Sequence, residues 1–80
     1  MRNFNIFIST ELGGLSDQFD NTDTSFRNMC EDALPADKDI TPDDITMESL
    51  QGKLPYNEQG NKALQLLMVL KSRYVKLMEL

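Results

Sequence analysis

From Leu15 to Ala33 the apolar residues fall at Leu15, Phe19, Phe26, Met29, Cys30 and Ala33, and Thr22 fills the one polar slot in the register. Steps of four and three place these residues on one narrow stripe of a helix, closer to a heptad seam than to a broad globular face. The pattern predicts a first helix over 15–34. Ser16 suits its N-cap, Asp17 and Asp20 lie where the helix dipole favours anions, and Pro35 cannot continue it. Upstream, Phe4, Ile6 and Ile8 alternate with polar neighbours until Phe7 interrupts, and Gly13-Gly14 breaks the chain. Residues 1–14 therefore read as a short strand or an extended, flexible arm.

Residues 35–41 are rich in turn formers and predict a loop. In Thr41-Pro42-Asp43-Asp44 a capping hydroxyl, a proline at the first helical position and an acceptor for a capping box follow in order. A helix over 42–54 is expected there, with Ile45, Met47, Leu50 and Leu54 as its apolar positions. Pro55 should kink or end it. A last helix runs from about Asn61 to 80, with Ala63, Leu66, Leu67, Leu70, Tyr74, Leu77 and Met78 on one face, Leu64, Met68 and Val75 on a second, and Val69 on a third. One antiparallel neighbour covers one face, and each leucine left in water forgoes roughly 1.5–3 kcal/mol of burial. The expected fold is all-α: an antiparallel helical hairpin with a Pro/Asp loop, its second arm kinked or broken at Pro55–Gly60, or else a three-helix bundle.

Eighty residues make a single small helical domain with a marginal core of its own. One cysteine, Cys30, cannot form an internal disulfide and reads as a small buried hydrophobe, and the absence of histidine argues against zinc or an iron–sulfur cluster. Regular packing or self-association remains. The net charge of −5 is unevenly spread: residues 11–60 hold twelve acids and three bases, and residues 61–80 hold four bases and only Glu79. An acidic body disfavours nucleic acid, and the asymmetry suits head-to-tail contact between copies as well as a plain acidic domain. No run approaches the roughly 18 apolar residues of a membrane span, and the N-terminal apolar patch is too short for a cleaved signal peptide. Catalytic chemistry finds little purchase. A histidine-based nucleophile is impossible. Asp43-Asp44 reads as a first-turn dipole feature, and the Asp37–Asp44 stretch lacks the glycine and closing glutamate of a calcium loop. No catalytic residue, cofactor or metal is expected, and the chain reads as a non-enzyme.

Several short stretches, in order, resemble the needle subunits of bacterial type III secretion systems: "LSDQFD" (15–20), "EDAL" (31–34), "DITPDD" (39–44), "LQGKL" (50–54), "YN" (56–57), Asn61 and "VLK" (69–71). The likeness spans roughly residues 15–71. The chain departs from it at Pro55 and Gly60, in Lys62-Ala63-Leu64-Gln65-Leu66, and at the C-terminal "KSRYVKLMEL", which leaves an inner-rod relative open. The resemblance implies a helical hairpin that polymerises into a hollow extracellular filament conducting effector proteins. It also implies export from the cytoplasm to the bacterial surface without a cleaved signal, and dedicated chaperones shielding the last helix beforehand.

On that reading Leu66, Leu67, Leu70, Tyr74, Leu77 and Met78 are the expected assembly contacts, and Pro42 and Asp43 the loop contacts. Leu15, Phe19, Phe26, Met29 and Ala33 should face the last helix from the first. The competing expectation is a small acidic helical adaptor, or a phage-type inhibitor, that binds a basic surface of a partner protein. A weaker third is a chaperone or antitoxin-like partner whose last helix folds into a groove.

Overall fold

The computed structural model describes residues 3–14, 25–35 and 38–79. Among these residues the chain is all-helical with no strand, and it forms a small bundle of four α-helices. They are α1 (Phe4–Gly13), α2 (Ser25–Asp32), α3 (Met47–Gln51) and α4 (Glu58–Met78), with a 3-10 turn at Pro42–Asp44.

The first departure from expectation is α1, where a short strand or an extended, flexible arm was expected over 1–14. Phe4, Phe7, Ile8 and Leu12 are all buried, and Ile6 is half exposed. The interrupting Phe7 was thus the informative residue: positions 4, 7, 8 and 12 share one side of a helix, whereas a strand needs Ile6 inside with Phe4. Asn3 starts the helix locally, its side-chain oxygen accepting the Ile6 N–H at 2.9 Å.

Helix α2 is the second half of the predicted 15–34 helix; Leu15, Phe19 and Thr22 lie outside the described residues. Cys30 and Ala33 are buried, while Phe26 and Met29 pack against the core from its edge. Ala33 and Leu34 close the helix with turn hydrogen bonds to Cys30 and Glu31, because Pro35 disfavours helical backbone at the residue before it.

Asn5 of α1 pins the following loop. Its amide donates to Asp39 at 2.9 Å and its carbonyl accepts the Ile40 N–H at 3.1 Å, so that Ile40 drops into the core. The helix expected over 42–54 is split in two. Ile45 is extended (φ −99°, ψ 94°) and fully buried, Thr46 caps α3 by accepting the Ser49 N–H at 3.1 Å, and Met47 is left half exposed. Ile45 and Met47 lie only two positions apart, so one helical stripe cannot bury both.

The second arm is broken, not kinked. Helix α3 ends at Gln51 and α4 starts at Glu58, ahead of the expected Asn61, because the Asn57 side chain caps it by accepting the Gly60 N–H at 2.8 Å. Gly60 is what lets the two segments meet: a Cβ there would lie 1.9 Å from the Pro55 carbonyl oxygen. At about 1.5 Å per residue α4 runs the length of the molecule, whose longest dimension is 34 Å. It packs against every other described helix. Gly60, Ala63, Leu67, Leu70 and Tyr74 are its inward stripe.

Candidate interaction surface

The expected assembly residues do not share one exposed face. Leu67, Leu70 and Tyr74 are in the interior of the chain's own bundle. Tyr74 is held edge-on by Phe4 (ring centroids 4.9 Å apart) and tilted against Phe7 (5.3 Å), contacts worth about 0.5–1.5 kcal/mol each beyond the area they bury. Leu66 is half-buried, whereas Leu77 and Met78 are exposed at the last turns. Pro42 is half-buried and Asp43 exposed, on the 3-10 turn. Periodicity finds the stripes of a helix but not which stripe turns inward, and the neighbour that decides it, α1, was read as an arm.

The apolar surface left outside lies elsewhere on α4. Val69, 54 % exposed, stands as a ridge between two shallow hollows. On one side a groove of about 440 Å³ is lined by Met47, Asn61, Leu64, Gln65, Met68 and Val69. On the other a hollow of about 350 Å³ lies among Phe26, Lys62, Leu66 and Val69. Farther along, Val75, Leu77 and Met78 are 36, 43 and 55 % exposed. Leu64, Met68, Val75 and Val69 were foreseen as more apolar surface than one neighbour could cover. Met47 was missed, because it was counted on the inward side of a helix that turns out to be interrupted just before it.

Ion pairs hold the edges of the bundle. Arg73 reaches Glu11 of α1 at 3.0 Å, and Arg27 meets Glu31 at 3.5 Å. Lys38 and the Thr41 N–H both bond the Asp44 carboxylate, at 2.9 and 2.8 Å. The Thr41 N–H and then Lys38 hold the Asp44 carboxyl below the ordinary aspartate range. Lys71 is half-buried and its ammonium donates to the Ile45 carbonyl at 2.8 Å, so it ties α4 to the segment ahead of α3. Lys62, Lys76, Asp43 and Glu48 are exposed and form no ion pair with the described residues. Burial, with a smaller push from Glu31, raises the Cys30 thiol to about 11, where it is inert as a nucleophile at neutral pH.

Among the described residues no three acids, histidines or cysteines gather where a metal ion could be held, and no helix is long and apolar enough to cross a membrane. Compared with known protein families, curated proteins and solved structures, the chain matches none. A functional reading therefore has to come from this surface and from the chain's own sequence.

Proposed function

We propose that the chain is a structural subunit that works by binding further copies of itself, and not an enzyme. The observation that carries this reading is the apolar surface α4 leaves exposed: Val69 on the side away from the packed stripe, and Val75, Leu77 and Met78 around the last turns, where Leu77 and Met78 continue the stripe of Leu70 and Tyr74. Single exposed apolar residues are ordinary, but several along one helix beside an apolar groove mark a contact surface. The unlike charge of the two parts of the chain favours a copy as the occupant: the last helix brings bases, and the segment around Asp43 and Glu48 brings acids. Sedimentation velocity and negative-stain electron microscopy over rising concentration test the reading. A mass growing beyond the 9.1 kDa monomer supports it, and a strict monomer at millimolar concentration overturns it.

In its finer form, supported by the likeness over residues 15–71, the assembly is a secretion needle or rod that conducts effector proteins. The break between Gln51 and Asn57, and the interior position of Leu67, Leu70 and Tyr74, mean that a copy joins such a filament either as a compact bundle or after opening. Regular hollow fibres support this form; discrete small oligomers count against it.

The exposed Asp43 and Glu48, which pair with no described cation, favour a second reading: an acidic adaptor for a basic protein surface. A monomeric chain that binds an oligolysine peptide, with affinity falling steeply as salt rises, supports the adaptor.

A further inference from the structure

We draw no further inference here: the strongest candidate, the apolar groove between α3 and α4 lined by Met47, Leu64, Met68 and Val69, carries nothing, because nothing in the structure shows what covers it.

Discussion

Gly60 is the position at which one atom decides the fold. A methyl group there would collide with the Pro55 carbonyl, which is backbone and cannot step aside cheaply. Gly60→Ala is expected to cost about 1–3 kcal/mol or more through overpacking, outweighing the helix propensity gained. Gly52 is the control: its backbone is helical (φ −75°, ψ −12°), and a Cβ there meets nothing nearer than 3.8 Å. Gly52→Ala should stabilise by about 0.4–1 kcal/mol through the unfolded chain. Urea unfolding of the two variants should therefore move in opposite directions. Both glycines look alike in the sequence, as breakers, because a close approach between segments leaves no local trace. Cys30, by contrast, was readable from its stripe. With its thiol held at about 11, against about 8.5 when unfolded, folded protein at pH 8 should react with a disulfide reagent far more slowly than urea-unfolded protein. Stability should also decline as pH rises above about 9, where only the unfolded thiol ionises.

At the scale of elements, caps do much of the placing. Asn57→Ala removes the acceptor for the Gly60 N–H and should cost about 1 kcal/mol in the same unfolding assay. Asp44 joins the Thr41 N–H to Lys38 and has its pKa lowered. Its contribution is complete above the ordinary aspartate pKa and fades as pH falls through the lowered one. Asp44→Asn should thus lower the denaturation midpoint at pH 7, and the two proteins should converge in strong acid. The all-α class and the Pro/Asp turn could be read from local signals: a capping sequence at Thr41–Asp44, a stripe through Phe26, Met29 and Ala33, and an apolar last helix. Helix α1 was missed because Phe4, Ile6 and Ile8 also fit a period of two, with Phe7 alone telling against it over so short a stretch, and because the tyrosine it packs against lies far along the chain. Phe4→Ala tests that dependence. A loss of about 3–5 kcal/mol rivals the roughly 4–12 kcal/mol expected of a chain this length, so the variant should be largely unfolded at 37 °C.

For the whole molecule, the excess of apolar surface on the last helix was evident from its three populated faces. Which of them would remain outside was not, since that depends on three neighbours arriving from different parts of the chain. The surface that remains is apolar in its middle and basic toward its end. Assembly through it should weaken by less than about tenfold between low and high salt, because exposed ion pairs contribute only about 0–1 kcal/mol each. A collapse of association by several orders of magnitude, measured by sedimentation in graded sodium chloride, would instead identify charge as the main attraction and favour the adaptor.

The edge-on and tilted packing of Tyr74 against Phe4 and Phe7 bears on how the molecule comes into being. Those rings come from opposite ends of the described chain, so a growing polypeptide has no partner for Phe4 and Phe7 until Tyr74 has been made. Synthesis and folding are thereby kept apart in time. A nascent chain stopped before Leu70 should remain open to protease, and resistance should come in a single late step once Tyr74 is added.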